Sequence, residues 1–453
     1  MPHDHDTIAA ISTAIGEAAI SIIRISGQGT ENALLSILGQ NKPKIEHAKP
    51  FLAWITDPVT EKKVDQAIIT LYRSPDSYTG EDLAEISCHG GIRLTRYILE
   101  IILSSGARLA ENGEFTKRAF INGKMDLIRA ESVIELIKAK SGVELEKAAE
   151  RLSGGLTDEI GSIGQVLVEL LAEIEAGIDF PEDIQELSII DAETRIKDVI
   201  NILKSILMNE KEAQILEHGI KITITGKPNT GKSTLLNTFA KKDRAIVTDI
   251  PGTTTDTIEV PLLIRGIPVI IIDTAGIRTG EGPIEAEGVK RARQAIQAAD
   301  IILAVFDVSG RFDDQDKAVL DEIKGKNAII AMNKSDIEHR FQIERLINKG
   351  KIINISALKG DGIGDLEAAI VNSAGITKIG TGEGIYANTR QCALIRECRA
   401  CLELSLSGLI HNFPLDAITI DIRSAIEVLR ELTGQNAGDD VINAIFERFC
   451  IGK

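Results

Sequence analysis

The stretch Gly226-Lys227-Pro228-Asn229-Thr230-Gly231-Lys232-Ser233 follows an apolar, strand-like run, Ile220–Thr225, and leads into a helical pattern opening at Thr234-Leu235-Leu236. Strand, glycine loop and helix in that order are the context that a phosphate-binding loop requires, and they commit this part of the chain to an α/β fold. Two glycines let the backbone curl, so that N–H groups across Asn229, Thr230, Gly231, Lys232, Ser233 and Thr234 face one oxyanion at the helix start. Lys232 then reaches the β- and γ-phosphates, and the Ser233 hydroxyl is offered to a bridging Mg2+.

Three later stretches specify the nucleotide. The run Ile270–Ile272 ends in Asp273-Thr274-Ala275-Gly276, where the carboxylate can hold Mg2+ through water and the Gly276 N–H can meet the γ-phosphate. Asn333-Lys334-Ser335-Asp336 follows the apolar Ala328–Met332, and Ser356-Ala357-Leu358 closes Ile352–Ile355. An aspartate at 336 accepts two hydrogen bonds from the ring N–H and exocyclic amine of guanine, whereas adenine presents an acceptor there and is repelled. The nucleotide read from these residues is GTP.

The loop Thr248-Asp249-Ile250-Pro251-Gly252-Thr253-Thr254 supplies a hydroxyl, Thr254, that can complete the Mg2+ shell, and a backbone that can sense the γ-phosphate. Yet Gly276 is followed by Ile277, where a Ras-type GTPase carries the glutamine that orients the attacking water. An aliphatic side chain cannot do this, so either hydrolysis is very slow or another group replaces the amide.

The 453 residues, 43% of them hydrophobic, suffice for about three domains. Sixty-seven acidic against 51 basic residues give a net charge of -16, which disfavours stand-alone nucleic-acid binding, because phosphate contacts need clustered Lys and Arg. No apolar run reaches the roughly 18 residues of a membrane span, and no charged-then-apolar leader opens the chain. With five cysteines, an odd number, the expected setting is a reducing cytoplasm.

Residues 1–120 read as mixed α and β, with strands at Ala19–Ser26, Phe51–Thr56 and Gln66–Tyr72 and a helical stripe over Leu94–Leu103. From Ile128 to Ile174 and Ala192 to Ile215 the apolar period is helical, broken at Gly154-Gly155 and Phe180-Pro181. The expected organisation is an N-terminal domain (1–120), a helical domain in two pieces (121–218 and 375–453) and an inserted Ras-like GTPase domain (219–374). Cys398-Arg-Ala-Cys401 lacks the second ligand pair of a zinc site and the leading strand of a thioredoxin-like site, so it reads as small helix residues.

Beyond these motifs the chain resembles the tRNA modification GTPase family called MnmE or TrmE. The resemblance rests on Asp6–Ala10, Arg24–Gly27, Tyr78–Asp82, His89–Gly91, Gly113–Thr116, Ile178–Pro181, the GTPase motifs and the ending Phe449-Cys450-Ile451-Gly452-Lys453. Ribosome-assembly GTPases share the nucleotide motifs but not this ending. Such a switch, binding RNA without modifying it, is the alternative that the nucleotide motifs alone leave open.

The resemblance implies an N-terminal domain with a folate-binding, aminomethyltransferase-like fold, through which the protein forms a homodimer. It implies that a tetrahydrofolate derivative, 5-formyl or 5,10-methylene, is held at Arg24, Glu85, Lys124 and Lys453. In the GTPase domain it implies K+ near Asn229, Thr248, Ile250 and Thr253, and a water oriented by Glu285. With the flavoprotein MnmG, which carries FAD, the family adds an aminomethyl or carboxymethylaminomethyl group to carbon 5 of the wobble uridine of certain tRNAs, drawing the one-carbon unit from the folate. Cys450 is read two ways, as a buried structural thiol or as a participant in the uridine chemistry. The chain departs from the family where Ala14–Ala19 replaces a Pro-Pro-Gly-Arg-Gly-Gly stretch and Thr255 replaces an arginine.

Overall fold

The computed structural model describes residues 6–39, 44–179, 189–242, 259–273, 294–342, 346, 350–375 and 384–453. They divide into two compact units, one of Met1–Ile137, Glu150–Asn201 and Leu394–Lys453, the other of Lys138–Ala149 and Ile202–Ala393. No described helix is long and apolar enough to cross a membrane.

The first unit contains a six-stranded sheet of β1 (Ile8–Ile11), β2 (Ala18–Ser26), β3 (Phe51–Thr56), β4 (Lys63–Tyr72), β5 (Leu83–Gly90) and β6 (Arg108–Leu109) in the order β3-β4-β5-β2-β1-β6. Neighbours are antiparallel except β1 and β6. Ala67, Ile69 and Leu71 alternate inward along β4, the period of a strand with one covered face. Helices Thr30–Ser36 and Ile92–Ser104 cover that face, burying Leu34, Ile98, Ile101 and Ile102 against Ile23, Ile25, Ile69 and Ile86.

The same unit includes helices Leu127–Lys138, Gly155–Asp179, Leu415–Thr433 and Asp439–Phe446. The first of these packs through Leu127, Ala130 and Ile134 on Ile445, Phe446 and Phe449. An expected break falls at Gly154, which takes φ +115° between helices Gly142–Ser153 and Gly155–Asp179. Further breaks, after Lys138 and after Leu207, interrupt stretches that the apolar period alone carried straight through. Phe180-Pro181 lies outside the described residues.

In the second unit the sheet comprises β7 (Ile220–Thr225), β8 (Glu259–Ile264), β9 (Ile267–Asp273), β10 (Ile301–Asp307), β11 (Ala328–Asn333) and β12 (Lys351–Asn354), ordered β12-β11-β10-β7-β9-β8. Only β8 runs antiparallel to its neighbour. Residues 301–306 are all buried, as expected of an interior parallel strand covered on both faces. The C-terminal ends of β7, β9, β10, β11 and β12 therefore lie along one edge of the sheet, where open α/β sheets place their ligands.

Candidate functional site

The loop after β7 owes its shape to two glycines. Gly226 has φ +148° and Gly231 φ +92°, and a Cβ on Gly231 would overlap the Asn333 side-chain amide. Between them Asn229 also takes a left-handed backbone, φ +63°, a conformation that asparagine tolerates better than most residues. Lys232 opens helix Lys232–Lys242 and is buried, its Nζ donating to the carbonyls of Gly226 (2.9 Å) and Lys227 (2.8 Å). Thr230 Oγ1 donates to the same Lys227 carbonyl at 3.0 Å.

This cradle suits a nucleotide with its divalent ion. Ser233 and Thr234 are exposed on the first helical turn, whose N–H groups have no intrahelical acceptor. Ser233, with Asp273 at the end of β9, would hold Mg2+. Thr248, Asp249, Ile250, Pro251, Gly252, Thr253 and Thr254 lie outside the described residues, as do Thr274, Ala275, Gly276 and Glu285.

The residues expected to read the base arrive from the next strands along the edge. Asn333, at the end of β11, is buried and donates through Nδ2 to the Thr230 carbonyl (2.8 Å), while its Oδ1 accepts from the Ala357 N–H (2.9 Å). The Ser335 N–H donates to the Ile355 carbonyl at 3.0 Å, so the Asn333–Asp336 and Ser356–Leu358 segments form one surface. A hydrogen bond from Ser356 holds the Asp336 carboxyl below the ordinary aspartate pKa, with Lys359 Nζ adding its charge 3.6 Å away. Leu358 is 81% exposed beside them, an apolar side chain available to a flat base. Lys334 Nζ donates to Asp307 at the end of β10, a contact the motif reading did not anticipate.

Within the first unit the four residues assigned to folate lie in one region. Arg24 on β2 donates to Glu85 on the adjacent β5 at 2.8 Å, and its guanidinium stands 5.5 Å from the centroid of Tyr78. Glu85 and Lys124 line a cavity of about 360 Å3 together with Tyr72, Tyr78 and Leu83. Burial lowers the Lys453 pKa and the nearby Arg24 charge lowers it further, opposed by Glu85. The tyrosine faces suit a flat ring, beside Lys124 as the one cation among the described lining residues and the carboxylates of Asp76 and Glu85, with Arg24 and Lys453 close by.

The chain end is built into this region. Gly113 N–H donates to the Cys450 carbonyl (3.4 Å) and Phe115 N–H to the Lys453 carbonyl (3.2 Å). Gly113 must have φ +66° there, and a Cβ on it would meet the Phe446 carbonyl at 2.7 Å. Beneath, Arg108 and Arg118 converge on Glu114 and Asp6, with Glu81 also accepting from Arg118. Burial pushes Glu114 upward, but hydrogen bonds from Arg108, the Glu111 N–H and Arg118 outweigh it and hold the carboxyl below its ordinary range. Composition gave no hint of this cluster. Its only trace is that Asp6, Glu81 and Glu114 fall inside stretches marked by the family resemblance.

Cys450 is exposed, which does not match a buried structural thiol. Cys398 is buried within helix Thr389–Ile410, and burial pushes its thiol up to about 12; Cys401 is half-buried on the same helix. The described residues hold no cluster of three or more His, Cys, Asp or Glu placed to bind a metal ion.

A family model described as the MnmE helical domain matches residues 127–450, and one described as the GTP-binding protein TrmE N-terminus matches residues 7–124. The tRNA modification GTPase MnmE of Thermotoga maritima is 40% identical over 453 residues, covering 99% of this chain and 100% of the relative. That of Desulforamulus reducens is 41% identical over 462 residues, covering 99% of each. A crystal structure of Aquifex aeolicus Era bound to GDP·AlF4- is 25% identical over 41% of this chain and 67% of that chain, with a TM-score of 0.28. Matched from end to end by such relatives and over nearly all its length by the two family models, the chain belongs to the tRNA modification GTPase MnmE family.

Proposed function

We propose that this GTPase of tRNA modification works in the cytoplasm as a homodimer with the flavoprotein MnmG. Together they install an aminomethyl or carboxymethylaminomethyl group at carbon 5 of the wobble uridine of certain tRNAs. The observation that carries this reading is the gathering of Arg24, Glu85, Lys124 and Lys453 beside a cavity, in a unit separate from the nucleotide loops. A GTPase switch acting on the ribosome has no use for such a pocket.

Each chain contributes positioning and charge. Arg24, Lys124 and Lys453 would hold a tetrahydrofolate derivative by its carboxylates, and Glu85 would meet a polar edge of the ring. A bound folate supplies the one-carbon unit. In the nucleotide domain Lys232, held on its loop carbonyls, would reach the phosphates, Asp336 would select guanine, and Ser233 and Thr254 would hold Mg2+, with Asp273 doing so through water. Asn229, Thr248, Ile250 and Thr253 would hold K+, and Glu285 would orient the water in place of the glutamine that Ile277 replaces.

The test is mass spectrometry of wobble uridines from a deletion strain carrying either the wild-type chain or Arg24→Ala. Restoration by the first and not the second is expected. Full modification in the strain carrying Arg24→Ala would remove Arg24 from the reaction, and with it the folate reading of the cavity.

A further inference from the structure

The phosphate loop carries a second lysine whose side chain is not directed to the loop's own carbonyls. Lys227 Nζ donates to Asp316 Oδ2 at 2.9 Å and to Asp313 Oδ2 at 3.0 Å, with its side chain only 14% exposed. Both carboxylates belong to the start of helix Asp314–Ile323. Asp313 caps that helix by accepting from the N–H groups of Gln315 and Asp316, and Asp316 returns the bond by accepting from the Asp313 N–H at 3.1 Å. The capping box fixes both carboxylates through backbone bonds that do not involve Lys227. Burial works against the lysine charge, yet the bonds to Asp316 and Asp313 outweigh it and raise its pKa above the ordinary value.

At the other end of the same connection, Asp307 accepts from Lys334 Nζ at 2.5 Å and from Ser309 Oγ at 2.6 Å. The backbone between is held on both sides. Val308 N–H donates to the Asn333 carbonyl (3.0 Å), and the Val308 carbonyl accepts from Arg340 and Phe341 N–H groups (2.8 and 3.1 Å). Phe312 packs edge-on to Phe341, which packs edge-on to Phe306. The connection is thus a stiff piece of chain that grips the phosphate loop through one lysine and the base loop through another.

We infer that residues Asp307–Asp316 form a strap that sets the spacing between the phosphate loop and the base loop, with Lys227 as its positioning residue on the phosphate side. The inference rests on the reading of these loops as the GTP site. Lys227 acts through the loop: its own carbonyl is the one that Lys232 Nζ and Thr230 Oγ1 both share, so anchoring its side chain anchors those donors. An effect exerted through loop placement falls equally on GDP and GTP, because both need the same loop. A residue meeting the γ-phosphate would favour GTP alone.

The experiment uses the full-length protein and a fluorescent methylanthraniloyl derivative of GDP or of a non-hydrolysable GTP analogue, with dissociation followed by stopped flow. Lys227→Met is expected to weaken both nucleotides by the same factor, about tenfold, the scale of a lost charge-assisted hydrogen bond. Lys227→Arg, which can still pair with both carboxylates, is expected to stay within about twofold of wild type. Asp313→Asn, leaving Asp316 in place, is expected to fall between the two. Because the strap joins both loops, Lys227→Met and Asp307→Asn together should cost little more than the worse single change.

Wild-type affinity for both nucleotides in Lys227→Met would overturn the inference, as would loss for the GTP analogue alone or full additivity with Asp307→Asn. Failure of the wild-type chain to bind GDP at all would count against the nucleotide site itself, a separate outcome.

Discussion

The Asn333 side-chain amide donates to the Thr230 carbonyl at 2.8 Å, so a residue of the base loop forms part of the wall of the phosphate loop. Gly231 must lack a side chain for that contact to exist, since its Cβ would fall on the same amide. The glycine loop and the Asn333 segment are therefore parts of one hydrogen-bonded edge.

Replacing Asp336 with Asn exchanges an acceptor for a donor opposite guanine. GTP affinity should fall by roughly 10²-fold through loss of two charge-assisted bonds, while XTP, with a carbonyl in place of the amine, should gain. Titration of the two nucleotides against the variant checks this. Unchanged GTP binding would exclude the assignment.

Much of this edge was legible because short apolar runs end in polar motifs. The runs expected at Ile220–Thr225 and Ala328–Met332 coincide with β7 and β11 to within a residue. The equally apolar β10 has no nucleotide motif after it to mark it, and its terminal Asp307 reaches the Asn333–Asp336 segment through Lys334. Docking of the chain end on Asn112–Phe115 was not legible either. It joins segments more than 300 residues apart, and the bonds are made by backbone groups that every sequence carries. What the sequence did carry was Gly113, needed for its left-handed backbone and its contact with Phe446.

Hydrolysis should be about tenfold or more faster in K+ than in Na+ at matched ionic strength, because the K+ ion proposed above would do at the phosphates the work of an arginine finger. Asn229, exposed and with a left-handed backbone, is the one described residue of the ligand set proposed for it. Asn229→Ala should erase the difference between the salts. Equal wild-type rates in both would remove K+ from the mechanism.

For Glu285→Ala, turnover should drop by roughly 10²-fold with nucleotide affinity little altered, the pattern of a water-orienting group. Single-turnover hydrolysis alongside a binding titration separates the two effects. A near-normal rate would mean that some other group substitutes for the side chain missing at Ile277.

Acid should loosen the N-terminal domain through Glu114. Its folded pKa lies below the unfolded value, so the stabilisation is present above the ordinary glutamate pKa of about 4.3 and is lost as pH falls through the folded value. Glu114→Gln should flatten that acid dependence. It should also cost about 2–4 kcal/mol at neutral pH, because two buried or half-buried guanidinium groups lose one of the two anions they share. Urea unfolding measured across pH provides both readings, and parallel pH profiles for the two proteins would refute the assignment.

At the chain end, backbone docking and side-chain chemistry separate. Phe115 and Gly113 hold the tail by its carbonyls, and Gly452 has φ +93° with its α-carbon turned against the Ile11 carbonyl, so the tail's path depends little on the Cys450 side chain. That thiol is exposed, whereas the Lys453 side chain is half-buried close to Arg24 and Glu85. Deleting Ile451–Lys453 removes one of the cations beside the cavity together with the Phe115 anchor, so binding of 5-formyltetrahydrofolate should weaken by roughly tenfold or more in calorimetry. Cys450→Ser removes no anchor and no charge, keeps a hydroxyl of similar size and loses most of the nucleophilicity. It should fold, dimerise, bind folate and hydrolyse GTP as the wild type does, while wobble-uridine modification drops sharply. Full modification by Cys450→Ser would exclude a chemical role for the thiol and leave the tail as a packing element that brings the Lys453 charge near the cavity.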